Sequence, residues 1–560
     1  MGVPGLFLWL LKKYDYDNLL TSIDRLKGDV DNLLIDTNCL LHPKCFETIS
    51  NNSDITNINT LENLMIENCI NYIEKLIQFI EPKELVYISI DGVAPYAKIK
   101  QQRLRRFKSA KDKRLYNNLK KKFKKDRGCN WTNASITPGT VFMDKLDRKI
   151  KEYIKSRKDN LKIIYSSCYI EAEGEHKLLQ YIRNNNTYDK KNVIYGLDAD
   201  LIFLSLATLQ KNIYLLREAQ VIDKNSKEIL TLVSIDIIKD YILDEFIYSI
   251  NSEIELDKDN IINDFIFICF FLGNDFLPHL PSISLYSDKK LMNGLDLIIY
   301  CYCKSFKLYN NYIIKKIDDK IIFNEEFIIN FLDNLILFEK EYFHNLYNSK
   351  KKRRFCRSND PYEREVFKID NLQFKIKDNI ELGKDSDDLW KYRYYNTYYK
   401  ASNNMNNTIE DACFDFFKGL VWNSYYYFYK CPCWTWYYKF NHGPFISDVR
   451  GYIKNFNFNK VEFKLEKPLK PLYQLFCVLP PQYAFLLPKS YKFLVLNNKS
   501  PLIYLYPKDV DLDMINKNKY WQCIPYLPNM DFELIKILDK FKLTEDEKKR
   551  NRSEKLFIKN

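Results

Sequence analysis

The chain has 560 residues, 46% of them hydrophobic and 15% aromatic, with a formal charge of +13. That length fits two or three domains, the hydrophobic share excludes a disordered chain, and no uninterrupted apolar run reaches membrane-spanning length. Between Lys98 and Arg127, fifteen Lys and Arg face only Asp112 and Asp126, so this stretch carries the whole excess charge. It points to a polyanionic partner; the plainer reading is a solvated basic helix.

Taken in chain order, residues 1–11 lack the basic start and cleavage site of a signal peptide. Leu6 stands where a myristoylation motif needs Ser or Thr. The fourteen cysteines form no CxxC pair and no zinc-knuckle spacing, so they are expected reduced, inside a cell. NLLIDTN (32–38) reads as a strand ending at Asp36, and ELVYISIDG (84–92) as a strand ending at Asp91. The run 98–125 has no Gly or Pro and reads as a long, mostly exposed helix projecting beside the sheet. GEHKLLQYIR (174–183) has helical spacing, with Glu173 and Glu175 at its start. NVIYGLDAD (192–200) reads as a strand ending at Asp198 and Asp200, and DFIFICFFLGND (264–275) as an apolar helix that stops at Gly273, just before Asp275.

Residues 286–345 read as helical, 349–361 as a basic linker, and 422–438 as an aromatic stretch in a second region. The tail after about 540 is charged and expected to fray. Strands alternating with helices imply an α/β fold with a mainly parallel central sheet flanked by helices. The expected units are 1–345 with the site, a linker 346–363, a second α/β region 364–535 packed on the first, and a charged tail 536–560.

In open α/β sheets, ligands bind outside the carboxyl ends of the strands. Asp36, Asp91, Glu173, Glu175, Asp198, Asp200 and Asp275 would meet there. Seven carboxylates in one crevice repel one another unless cations intervene. Mg²⁺ or Mn²⁺ suits all-oxygen donors, and two such ions about 3.5–4 Å apart can clamp a phosphodiester. Any single strand-end Asp is more often a helix cap; the set of seven is harder to read that way. Lys98, Gln102, Arg105 and Arg106 would share one helix face and could hold one terminal phosphate or line a backbone channel. His42, six residues after Asp36, and Trp434 or Trp436 offer rings for base stacking; core packing is the expected role for most Tyr of 422–438.

The segments MGVPGLFLWLLKKY, LLIDTNCLLHP, IDGVAPYAKIKQQRLRRFKSA, SITPGTVFM, EAEGEHKLLQYIR, YGLDADLIFLSL and FLGNDFLPHLPS resemble, in order, the motifs of Xrn/Rat-type 5′→3′ exoribonucleases. GLVWNSYYYFYKCPCWTWYYKFNHGPFISDV and KPLYQLFCVLPPQYAFLLPKSY resemble that family's second conserved region. The resemblance implies a PIN/5′-nuclease-like core and a processive 5′→3′ exoribonuclease that degrades 5′-monophosphorylated single-stranded RNA by a two-metal mechanism. It puts the seven acids on metal positions, and Lys98, Gln102, Arg105 and Arg106 in a 5′-monophosphate pocket. His42 and a Trp, Trp436 before Trp434, fall on a stacking pair. It further implies a monomer in the cytoplasm (a viral factory if viral) or the nucleus, met by decapping or RNA-decay factors. The composition matches an AT-rich genome, such as that of a large DNA virus or a protist. Departures are PGLFLWL where a Lys is usual after Pro4, Tyr96 in place of Arg, and the absence of the long members' C-terminal domains. A structure-specific DNA flap nuclease and an inactive RNA-binding scaffold are the alternatives.

Overall fold

The computed structural model describes residues 9–10, 13–14, 20–21, 26–125, 131–185, 187–196, 198, 200–218, 230–250, 256–283, 294–348, 355–384 and 389–560. The opening motif through residue 8 and the basic core of the linker, 349–354, lie outside the described residues.

Short β-branched runs form β1 (Leu20–Thr21), β2 (Asn32–Asp36), β3 (Leu85–Ser89), β4 (Lys162–Ser166), β5 (Asn192–Tyr195), β6 (Ile213–Glu218) and β7 (Leu230–Ser234). With a terminal strand, β12 below, they build an eight-stranded sheet in the order β1-β7-β6-β5-β2-β3-β4-β12. The five strands from β6 to β4 run parallel, and the edges β7, β1 and the terminal strand are antiparallel. Strand order reverses between β2 and β5, which opens a crevice at their carboxyl ends.

Alternate strand residues feed two cores. Leu34, Tyr87, Ile164 and Ile194 enter one apolar cluster, while Leu33, Ile35, Val86, Ile88, Ile163 and Val193 enter the other. The second cluster is covered by α1 (Thr37–Asn51), α2 (Ile58–Ile80) and, after the basic helix α3 (Tyr96–Lys122), by α4 (Val141–Ser156). On the first face lie α5 (Gly174–Asn184), α6 (Asp200–Ala207), α7 (Ile235–Ile250), α8 (Lys258–Cys269), α9 (Leu295–Tyr309) and α10 (Glu325–Asn348). A hairpin, β8 (Ile314–Ile317) and β9 (Lys320–Phe323), interrupts the stretch expected to be helical. Buried Asp264 anchors it, accepting from the Ile313 and Ile314 amides at 2.8 Å each and from Tyr302 Oη at 2.7 Å.

The second region comprises α11 (Pro361–Asp370), α12 (Leu389–Tyr399), α13 (Met405–Phe428), α14 (Ile446–Tyr452), α15 (Pro471–Val478) and α16 (Lys489–Leu496). Among the described residues, regular strand in it is a two-residue ladder of β10 (Leu512–Asp513) and β11 (Ile524–Pro525). Phe416, Leu420, Trp422 and Tyr427 of α13 enter the same apolar cluster as α8 and α10, so one continuous core joins the two halves of the chain. The first half of α3 is buried through Ala97, Ile99, Gln102, Arg103, Phe107 and Ala110, with α15 packed on it; the exposed lysines gather in its last turns.

The expectation of a frayed tail is corrected. After α17 (Glu545–Lys549), β12 (Phe557–Lys559) pairs antiparallel with β4. Arg552 bonds Asp144 and Asp147 at 3.2 Å and Glu554 at 2.7 Å, and lies 3.6 Å from the centre of the Tyr169 ring. Charge density alone does not show that these cations face acids on α4. Arg552→Ala is expected to destabilise the protein by about 1–3 kcal/mol in urea unfolding. Lys548→Ala, which breaks an exposed pair with Glu545, should change stability by less than about 0.5 kcal/mol.

Candidate nuclease site

Asp36 ends β2 and Asp91 follows β3 by two residues. Asp36 is also a helix cap: its Oδ1 accepts from the Asn38 amide at 3.2 Å and its Oδ2 from Cys39 Sγ at 3.1 Å. The cap expected of a lone strand-end Asp is present, on a carboxyl that also feels Asp91 and Asp198. Asp91 Oδ1 accepts from the Gly174 amide at 2.6 Å. A Cβ at Gly174 would stand 2.9 Å from Asp36 Oδ1 and 3.2 Å from Asp91 Oδ1, so a side chain there would push both carboxylates from their present places. Glu173 and Glu175 flank that glycine and are buried. β5 stops at Tyr195, earlier than the sequence implies; Asp198 is exposed beyond it and buried Asp200 opens α6. Gly273, at φ 81°, turns the chain after α8 toward Asp275.

Electrostatics shows that the acids share one region. Burial, then Asp91 and Asp198, pushes the Asp36 carboxyl up to about 8. Burial with Asp200, Asp198 and Glu173 raises Glu175 well above the usual range. Burial also raises Glu173 and Asp200. Asp275 moves the other way: burial opposes its charge, but Lys98 and Arg105 outweigh that and hold it low. Lys98 sits among the acids, with Nζ 2.6 Å from Asp275 Oδ2 and paired to Glu173 Oε2. Its helix-face spacing pointed to a phosphate pocket; here its ammonium pairs with the two carboxylates.

The other basic residues divide. Arg105 is exposed, close enough to His42 and Asp275 to shift both. Arg106 is largely tied down, its Nη1 and Nη2 donating long bonds to the Ala134 and Ile136 carbonyls, while its buried Nε has no hydrogen-bond partner among the described residues. Gln102 accepts from Gln474 Nε2 at 3.3 Å, and Gln474 also accepts the Ala94 amide at 2.8 Å. His42 is half-buried; burial and the two arginines lower it to about 4, so its ring is neutral at pH 7. Trp436, preferred from sequence, is 7% exposed, lies 5.2 Å from the Trp422 ring and packs against Gly419. Trp434 is half-buried, and its carbonyl accepts the Tyr96 amide at 2.9 Å. The more accessible ring is therefore Trp434.

Sequence reasoning missed four contributors. Lys177 Nζ donates to the Ile90 and Ser167 carbonyls at 2.7 and 3.1 Å and so fixes the loop that carries Asp91. Gln474 joins α15 to α3. Tyr426 Oη donates to Glu173 Oε1 at 2.8 Å and Tyr427 Oη to Asp200 Oδ1 at 3.0 Å. Both tyrosines come from the stretch expected to be core; the one available signal was the density of phenols in a helix otherwise apolar.

The donor set fits hard divalent cations. It consists of carboxylate oxygens, buried Glu175 Oε2 has no hydrogen-bond partner among the described residues, and a positive group already bridges Glu173 and Asp275. Among the described residues no group of three or more His, Cys, Asp or Glu is set at metal-holding distances. The side chains would therefore close up around an ion and Lys98 would shift.

A parallel sheet that delivers acids to its switch point, beside a cationic helix, places the chain among the α/β nucleases. Residues 1–219 match the family model described as the XRN 5′-3′ exonuclease N-terminus, and residues 255–372 and 348–560 match the Xrn1 helical domain. The chain belongs to this XRN 5′-3′ exonuclease family. It is 28% identical to 5′-3′ exoribonuclease 2 of Candida albicans, over 100% of this chain and 74% of that protein. It is 28% identical to human 5′-3′ exoribonuclease 1 over 98% of this chain and 35% of that protein, and to the Schizosaccharomyces pombe 5′-3′ exoribonuclease 1 over 98% and 49%.

The raised carboxyls set a pH trend. Folded Asp36, at about 8, keeps a proton that the unfolded chain releases near pH ~4. The folded state therefore binds more protons between those values, and stability falls as pH rises through that window. In chelator, the melting temperature is expected to drop between about pH 5 and 8, and Asp36→Asn should flatten the slope in a thermal-melting series.

Proposed function

We propose that this protein is a processive 5′→3′ exoribonuclease that hydrolyses single-stranded RNA carrying a 5′-monophosphate and releases 5′-mononucleotides. The observation that carries the reading is the convergence of seven carboxylates at the β2–β5 switch point beside exposed Arg105. Asp36, Asp91, Glu173, Glu175, Asp198, Asp200 and Asp275 would hold two Mg²⁺ ions, with Mn²⁺ able to substitute. Bound there, such ions supply an activated water and stabilise the leaving oxygen.

The chain's own residues do the rest. The basic helix raises the local concentration of polyanion with a salt-sensitive affinity. Arg105 presents a planar fork to the terminal phosphate, with Gln102 and Arg106 shaping the floor behind it. Lys98 balances the charge of Glu173 and Asp275 and would be free to turn toward a phosphate if cations took its place. Neutral His42 and Trp434 offer flat faces for the first bases, which sets the register of the scissile bond.

The test is a time course in Mg²⁺ on one RNA oligomer with a 5′-monophosphate, 5′-hydroxyl or 5′-triphosphate. Mononucleotides are expected only from the monophosphate form. Asp200→Ala should bring cleavage below detection with RNA affinity kept. Arg105→Ala should cut the monophosphate-over-hydroxyl rate ratio about tenfold, the scale of one charge-assisted hydrogen bond. Equal cutting of all three ends, or incision at a DNA flap, would overturn the reading, and no cutting by the unaltered protein would leave an RNA-binding scaffold.

A further inference from the structure

The carboxylate cluster is not held by the α/β half alone. Tyr426 and Tyr427 are consecutive on α13, so their side chains leave the helix about 100° apart. Each reaches a different acid on a different element: Tyr426 the Glu173 that precedes α5, Tyr427 the Asp200 that opens α6. Both phenols are buried at 2% exposure. Neither can rotate freely. Tyr426 stacks on Trp422 at 4.6 Å and meets the His176 ring at 3.9 Å, and Tyr427 packs against Phe270 at 5.1 Å.

The helix that carries them is fixed at its end. Arg183, in the last turn of α5, donates from Nη1 to the Tyr429 carbonyl at 3.0 Å and from Nη2 to the Tyr427 carbonyl at 2.5 Å. These are carbonyls at the C-terminus of α13, where a cation is favoured by free acceptors and the helix dipole. Thus α5 carries Glu175 at one end and the clamp for α13 at the other.

We infer that Tyr426 and Tyr427, clamped by Arg183, are positioning residues that set the cluster's affinity for divalent cations by fixing one oxygen each of Glu173 and Asp200. A phenol O–H that holds one carboxylate oxygen fixes the direction of the other, which on Glu173 already meets the Lys98 ammonium. Partners of this kind govern metal affinity by about 10–100-fold. The inference rests on the metal-site reading above.

The experiment measures Mn²⁺ binding by electron paramagnetic resonance in the absence of RNA, alongside the Mg²⁺ dependence of cleavage. Tyr427→Phe and Tyr426→Phe keep the ring and its packing and remove only the oxygen. Each is expected to weaken Mn²⁺ binding about 10-fold or more and to raise the Mg²⁺ concentration for half-maximal rate. The rate at saturating Mg²⁺ and the 5′-monophosphate preference should stay largely unchanged. Tyr425→Phe, on the same helix but bonded to the Ile321 amide, should leave binding unaltered, and urea midpoints confirm that each variant is folded. Unchanged Mn²⁺ binding in both Tyr426→Phe and Tyr427→Phe would overturn the inference. The Asp200→Ala protein separates the two failures: if it too binds Mn²⁺ normally, the metal-site reading fails; if it alone loses Mn²⁺, the positioning role fails.

Discussion

Mutual repulsion among buried carboxylates is the constraint on which the rest of this structure depends. Parallel strands end in one plane, and strand reversal between β2 and β5 leaves a gap there that acids from several loops can enter. Bringing them together costs free energy twice, in lost hydration and in like-charge repulsion. The surroundings supply compensation piece by piece. The Gly174 amide meets Asp91, the Asn38 amide and the Cys39 thiol meet Asp36, phenols meet Glu173 and Asp200, and an ammonium bridges Glu173 and Asp275. Asp36 and Glu175 remain pushed toward the protonated form, so compensation is incomplete without further positive charge.

That incompleteness gives the second half of the chain its place. The α/β half provides the acids, but two of the donors that steady them arrive from α13, and Gln474 of α15 braces Gln102 on the basic helix. A continuous apolar cluster, running from the sheet through α8 and α10 to α13, makes this bracing rigid. The terminal strand closes the far edge of the sheet by pairing with β4, and Arg552 ties it to half-buried Asp144 and buried Asp147 of α4. The site is thus supported from distant parts of the sequence that have no chemistry of their own.

What could be read from sequence follows from range. The strand ending at Asp36, the strand that stops two residues short of Asp91, the helix after Glu173 and the stop at Gly273 are local signals of periodicity, glycine and acid placement. The parallel sheet follows from the alternation of strands and helices. The α9–α10 hairpin was hidden because KIIF and IKKI are too short to break a helical pattern. The tail was hidden because its cations and acids pair with α4 and Tyr169, hundreds of residues away. Trp436 and Trp434 differ in burial because Gly419 and Trp422 cover only one of them, and no local pattern encodes that.

Lys98 shows how a correct motif can carry two meanings. Its spacing from Gln102, Arg105 and Arg106 is helical, and the four residues do sit on one helix. A helix face is about 100° wide or more, and here its edges look onto different neighbours: Lys98 onto the acids, Arg105 onto solvent beside His42, Arg106 onto the Ala134 and Ile136 carbonyls. An ammonium that bridges carboxylates and a cation that would bind them compete for the same oxygens. A cation seated on Glu173 and Asp275 would have to displace that ammonium, and Arg105, which already acts on Asp275, is the next positive group beside it.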